Sequence, residues 1–238
     1  MPDWFDALAR ESVLTTDAAS ELDERGFVVI PGAVPDDHLG RLVNAYAAIE
    51  ASATGDDIRI GTTTNRVNDF VNRGAEFDDL YVFSPLLAAC CQVIGRPFKL
   101  SSLHARTLRA GSPSQGLHVD VQRDSADWPL VGFILMIDDF RPDNGATRFV
   151  PGSHRWPEPP GEPKDEEIVS ACGTAGSLLV FNGSTWHGHG TNASSAPRRS
   201  LQGAFIPREG RAGTDFAARM QPATRARLAP LARQVLAL

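Results

Sequence analysis

Glycine and proline cut the stretch between residues 98 and 207 into short pieces, with breaks at Gly111–Pro113, Pro142–Gly145, Pro151-Gly152 and Gly173–Gly176. The segments between them, 100–108, 117–121, 130–137, 146–150, 177–181 and 199–206, are rich in β-branched and aromatic residues. Pieces of this length and composition form strands, and many short strands with frequent turns must close on one another to hide their edges. The chain before them reads differently. Phe27–Ile30 is a short buried strand between Gly26 and Pro31-Gly32. Residues 36–51 place Leu39, Leu42, Val43, Tyr46 and Ile49 on one helical face, with Asp36 and Asp37 at the positive end. Residues 55–75 read as polar and irregular. A second helix is expected over 85–94, capped by Ser84, with Pro85 in its first turn and Gly95 at its end. The tail 215–238 has helical spacing interrupted by Pro222 and Pro230, which predicts two short packing helices. The fold class is α+β, mainly β, with a closed or double-sheet β core. We expect one domain over 1–238: a helical part to about 97, a core of about 98–207 and a helical tail. Four prolines, at 157, 159, 160 and 163, make 154–165 a surface loop.

Charge and composition exclude several classes. A net charge of −6 argues against nucleic-acid and anionic-membrane partners. No stretch approaches the length of an apolar membrane span. The first ten residues are acidic and lack the apolar run of a secretory leader. Three cysteines, Cys90, Cys91 and Cys172, form an odd and sparse set that fits reduced thiols in a cytoplasmic protein, and the first two read as helix core. The expected partner is a small molecule; oligomeric state is left open.

Two clusters among the six histidines carry chemistry. In Gln115-Gly-Leu-His118-Val-Asp120, an extended backbone would project an imidazole and a carboxylate side by side. In Trp186-His187-Gly-His189, one histidine would complete a set of two imidazoles and one carboxylate, which suits iron(II) with coordination positions left open. Taken alone, His118 and Asp120 are a weak signal, and a surface histidine beside a solvated aspartate is the more common reading of such a pair. Downstream, Arg198 opens a strand with Ser200 two positions on, a place from which a guanidinium can clamp a carboxylate.

Together these pieces resemble the phytanoyl-CoA dioxygenase-like family of iron(II)/2-oxoglutarate oxygenases. The resemblance rests on Gln115 to Asp120, on the block from Leu135 through Asp143-Asn-Gly-Ala-Thr147 to Pro151-Gly-Ser-His154, on Gly176-Ser-Leu-Leu-Val-Phe, on His187-Gly-His-Gly-Thr-Asn192, on Arg198, and on Gly26-Phe-Val-Val-Ile-Pro-Gly near the start. It covers roughly residues 20–206. It implies a double-stranded β-helix (jelly roll), with His118, Asp120 and His187 as iron ligands and catalytic centre. It implies Arg198 on the distal carboxylate of 2-oxoglutarate, helped by Ser200, with Thr147, Gln115 and Arg66 as further contacts. The cofactors implied are iron(II), 2-oxoglutarate and O₂, and the products include succinate and CO₂. Because halogenating relatives lack the carboxylate ligand, Asp120 implies hydroxylation or a related oxidation of a small molecule such as a biosynthetic intermediate.

Other residues stay open at this point. His189 either lines the oxoacid cavity or faces outward. Arg123, Trp128 and Trp186 either shape a substrate pocket or pack at the rim. His154 reads as a structural turn residue, and His104 is unassigned. A non-catalytic metal- or ligand-binding jelly roll is the alternative to an oxygenase. A zinc hydrolase is disfavoured because it leaves the Arg198 pattern without a purpose.

Overall fold

The computed structural model describes residues 4–156, 164 and 167–238; the four prolines of the expected 154–165 loop lie outside the described residues. Two helices, α1 (Trp4–Glu11) and α2 (Thr16–Arg25), lead into β1 (Phe27–Ile30). The Thr15 hydroxyl caps α2 by accepting from the Ala18 N–H, and Gly26 ends it in the left-handed region at φ 81°. A side chain at Gly26 would also meet Thr185 Oγ1 at 2.4 Å and His154 Nδ1 at 2.5 Å. Two independent constraints therefore keep that position glycine.

After β1 come α3 (Asp36–Ser52), β2 (Ile58–Ile60), β3 (Thr64–Val67) and α4 (Ser84–Ile94). Leu42 and Tyr46 of α3 are fully buried, with Leu39, Val43 and Ile49 packed beside the core, as the helical spacing requires. Two expectations fail here. Residues 55–75 are not irregular, because β2 and β3 pair as an antiparallel hairpin and β3 pairs in turn with the strand that follows α4. Ser84 does not cap α4 with its side chain; Phe83 precedes the helix with no side-chain cap, and Pro85 starts its first turn. Gly95 ends α4 at φ 65°, as expected.

The rest is β4 (Phe98–Leu108), β5 (Val131–Met136), β6 (Thr147–Phe149), β7 (Val169–Ala171), β8 (Leu178–Asn182), β9 (His187–His189) and β10 (Arg198–Pro207). Three short helices follow, α5 (Phe216–Arg219), α6 (Pro222–Arg227) and α7 (Pro230–Val235). The tail thus holds three helices rather than two, and Pro222 and Pro230 begin helices, where their missing N–H has no partner to lose.

All pairings are antiparallel, in a large sheet of order β1-β8-β5-β10-β4-β3-β2 and a small one of order β7-β6-β9. The expected strand 117–121 reduces to one bridge, His118 to His187, which extends the small sheet beyond β9. From β5 onward the chain passes back and forth between the two facing sheets, with β5, β8 and β10 in the large one and β6, β7 and β9 in the small one, the double-stranded β-helix. Period-two alternation sorts the side chains. On β4 and β5, Leu103, Ala105, Val131, Phe133 and Leu135 pack under α4 with Leu86, Leu87 and Cys90. The opposite faces enclose the space between the sheets. One half of that space is apolar: Phe27 stacks on Phe149 at 4.2 Å, and Ile134, Met136, Phe140, Leu179 and Phe181 fill the rest. The other half, facing β4 and β10, is lined by polar groups, and the site lies there.

Candidate metal centre and oxoacid cavity

Three side chains converge because of how β8 hands the chain to β9. The turn after Asn182 is tied down by Ser184 N–H and Thr185 N–H bonds back to Asn182, and the Thr185 hydroxyl donates to the Gly26 carbonyl at 3.1 Å. This carries the backbone from the large sheet to the small one and starts β9 at His187. His118 and His187 then exchange two backbone hydrogen bonds of 2.9 Å each, which sets their rings side by side with centroids 4.6 Å apart. Two residues on, the Asp120 N–H donates to the Gly183 carbonyl at 2.8 Å. Its carboxylate thereby stands 3.8 Å from His118 Nε2 and 3.7 Å from His187 Nε2. All three donor atoms lie within 4.8 Å of one another.

The tautomers follow from the neighbours. His187 Nδ1 lies 2.9 Å from the Thr185 carbonyl and His118 Nδ1 lies 3.2 Å from the Gly116 carbonyl. A carbonyl only accepts, so each Nδ1 carries the proton and each Nε2 presents a lone pair. Burial pushes the His187 pKa down, with the Asp120 carboxylate opposing, so its ring is held neutral. Two imidazole lone pairs and a carboxylate aimed at one point, too far apart to bond each other, are a donor set lacking a cation. The set fits a divalent metal with two nitrogen ligands and one oxygen ligand.

The donors open on a cavity of about 300 Å³. Arg198, at the start of β10, forms its far wall. It is 2% exposed, its guanidinium lies 3.8 Å over the Phe140 ring, and its Nε and Nη1 have no hydrogen-bond partner. Burial depresses its pKa to about 9. Buried donors without acceptors are costly, and a carboxylate-bearing ligand would supply both. Thr147, Gln115 and Arg66 line the same cavity. Gln115 is held by its N–H to the His189 carbonyl at 3.0 Å and by Arg106 on its Oε1 at 3.2 Å. His189 lines the cavity rather than facing outward, with Nε2 3.2 Å from the Thr63 hydroxyl and a pKa pushed down by burial to about 4.

Four expected site residues, Ser200, Arg123, Trp128 and Trp186, are not among those lining this cavity. The Ser200 hydroxyl donates to the Arg106 carbonyl at 3.1 Å and accepts from Gln202 Nε2, so it is occupied within the sheet. Trp128 packs beside Val121, Leu130 and Ile206, with the Arg123 guanidinium 5.8 Å from its ring. Trp186 follows the β8–β9 turn, and its backbone N–H donates to the Ser153 hydroxyl at 2.9 Å. His154 is a turn residue, its Nε2 3.0 Å from the Asp23 carbonyl. In their place the structure adds His104, Arg106 and Gln202 to the wall. The alternation of 102, 104 and 106 against Leu103 and Ala105 along β4 is the signal that could have found His104 and Arg106, and the two-residue step from Ser200 along β10 the one for Gln202.

The phytanoyl-CoA dioxygenase family matches residues 22–200 of the chain. The dioxygenase cdmA of Talaromyces verruculosus is 41% identical over 102 residues, which cover 40% of this chain and 35% of that protein. The dioxygenase olcK of Penicillium canescens is 28% identical over 201 residues, 76% of this chain and 66% of its own length. The chain thus matches from about a third to just under two thirds of the length of these two relatives. HygX from Streptomyces hygroscopicus, solved with nickel and 2-oxoglutarate bound, shares the fold with a TM-score of 0.71 at 19% identity, over 84% of this chain and 90% of that one.

Proposed function

The chain belongs to the phytanoyl-CoA dioxygenase family, and from that premise we propose that it is an iron(II)- and 2-oxoglutarate-dependent dioxygenase that oxidises a small organic molecule. The observation that carries the reading is the pairing of two features in one cavity: three convergent donors, His118, Asp120 and His187, and an unpartnered buried guanidinium, Arg198.

In this reading His118, Asp120 and His187 hold the iron, and the carbonyls of Gly116 and Thr185 lock both imidazoles in the ligating tautomer. Bound there with 2-oxoglutarate, iron(II) supplies the O₂-dependent oxidation of a C–H bond, with release of succinate and CO₂. Arg198 pairs with the distal carboxylate of the oxoacid through its free Nε and Nη1, which orients the molecule as well as neutralising it. The apolar half of the space between the sheets, with Phe140 beneath that guanidinium, keeps water out and strengthens the pairing. Thr147, Gln115 and Arg66 are the further oxoacid contacts, and hydroxylation is the expected outcome because Asp120 fills the position a halide would need. Residues 98–207 form the catalytic core of a single domain in this reading. HygX is a precedent for metal and 2-oxoglutarate together on this fold.

The test is anaerobic addition of iron(II) and then 2-oxoglutarate to the purified chain. A visible charge-transfer band, followed by succinate release when O₂ and candidate substrates are admitted, is the expected result. Metal binding without that band would leave only a metal-binding jelly roll.

A further inference from the structure

Three arginines stand in one row across three strands. Register pairs Arg59 of β2 with Arg66 of β3, and Arg66 with Arg106 of β4. Directly opposed residues share a sheet face, so the three guanidiniums form a line spanning roughly 10 Å, two strand spacings. Arg66 and Arg106 line both the cavity of the donors and an adjoining groove of about 470 Å³, to which Arg59 adds its own side chain. Among the described residues none of the three pairs with a carboxylate. Arg106 donates to two neutral amide oxygens, Gln115 Oε1 at 3.2 Å and Gln202 Oε1 at 3.4 Å. Like charges directly opposite one another in a sheet are destabilising. Burial, and after it the neighbouring Arg66, pull the Arg106 pKa down to about 10.

The charge count in the cavity points the same way. Its lining holds the guanidiniums of Arg66, Arg106 and Arg198 and one carboxylate, Asp120. On the oxygenase reading, which this step rests on, iron(II) and the 2-oxoglutarate dianion cancel, and Asp120 offsets one guanidinium. Two positive charges remain, with Arg59 adding a third at the mouth. We propose that Arg59 and Arg106, with Arg66 between them shared with the oxoacid, bind an oxyanion, a carboxylate or a phosphate, carried by the substrate itself, so that the enzyme acts on anionic small molecules. The planar fork of each guanidinium matches either group with two parallel hydrogen bonds. The row leads from the open groove to the donor set, so the anionic end would sit in the groove and the carbon to be oxidised would face His118, Asp120 and His187.

The test uses the full chain loaded anaerobically with iron(II) and saturating 2-oxoglutarate, titrated calorimetrically with inorganic phosphate and, separately, benzoate. Saturable binding of at least one anion is expected, weakened about tenfold or more in Arg106→Gln and in Arg59→Gln, one charge-assisted contact being worth about that factor. The tighter of the two probes assigns the headgroup as phosphate or carboxylate. Arg59 lies exposed near the edge of the sheet, so its variant remains informative where Arg106→Gln does not fold. The proposal is overturned if neither anion binds in the presence of saturating 2-oxoglutarate, which would return the row to the oxoacid, or if both variants keep wild-type affinity. The charge-transfer band in the same samples reports separately on the oxygenase reading: its absence removes that reading whatever the anions do.

Discussion

Replacing Arg198 by methionine should move two observables in opposite directions. In the free protein the guanidinium is 2% exposed with Nε and Nη1 unpartnered, and the Phe140 ring at 3.8 Å and the nearby Asp138 carboxylate compensate it only in part. Burying a charge costs several kcal/mol after relaxation, and the ring contact returns about 0.5–2 kcal/mol. Methionine keeps most of the volume and removes the charge. The ligand-free protein should therefore gain about 1–2 kcal/mol of unfolding free energy. Binding of 2-oxoglutarate should suffer, because its distal carboxylate enters a dry site with no cation. Truncating one side of a buried charge pair costs about 2–5 kcal/mol, roughly 30- to 5,000-fold in Kd. Chemical denaturation without ligand gives the first quantity, and anaerobic titration of the iron-loaded chain gives the second. Arg198→Lys, which keeps the charge but loses the fork, should fall between. An oxoacid affinity within threefold of wild type, or a ligand-free protein that loses stability, would refute the assignment of this residue.

Three further outcomes follow from the geometry. His104 is buried with Nε2 unpartnered and its pKa pushed down by burial to about 3. The unfolded chain therefore takes up a proton there below about pH 6.5 that the folded chain refuses, and stability falls as pH drops from 6.5 toward 3; His104→Leu should flatten that fall by about 1.4 kcal/mol per pH unit, measured by denaturation at pH 7 and pH 5, and an unchanged slope would count against a neutral buried imidazole. Gly26→Ala forces a β-carbon into Thr185 and His154 at positive φ and should cost about 2–4 kcal/mol; a loss under about 0.5 kcal/mol would show that the turn yields easily. Asp120→Gly should remove one of three metal donors and lower iron affinity at least roughly 100-fold, with succinate formation lost; undiminished native product from this variant would sink the donor assignment.

Much of the core was legible because it is written in neighbours. The β1 strand at Phe27–Ile30, the helix end at Gly95 and the pieces at 100–108, 130–137, 146–150, 177–181 and 199–206 appear within a residue or two of where turn chemistry and composition put them. The donors were readable too, since His118 and Asp120 need only an extended backbone to stand together. The misses share a cause. The hairpin of β2 and β3 was hidden in a polar segment because its strands are short and half exposed, and tertiary pairing with β4 decides it. Trp128 and Trp186 stayed open between pocket and rim because aromatic rings near a site carry no address of their own; Trp128 packs in a side cluster, and neither lines the cavity.

The amino-acid order alone pointed to many short strands closing on one another, and put His118 two residues from Asp120 with His187 and His189 as candidates to join them; the choice of His187 came from the family resemblance. Only the tertiary structure decided that Arg106 and His104 face the same cavity as those donors, that the Ser200 hydroxyl is taken up by the Arg106 carbonyl and Gln202, and that Arg59, Arg66 and Arg106 fall into one row. Turn and alternation rules act over a few residues, whereas these placements depend on the register between strands far apart in the chain, and a shift of one residue would turn every one of those side chains to the opposite face.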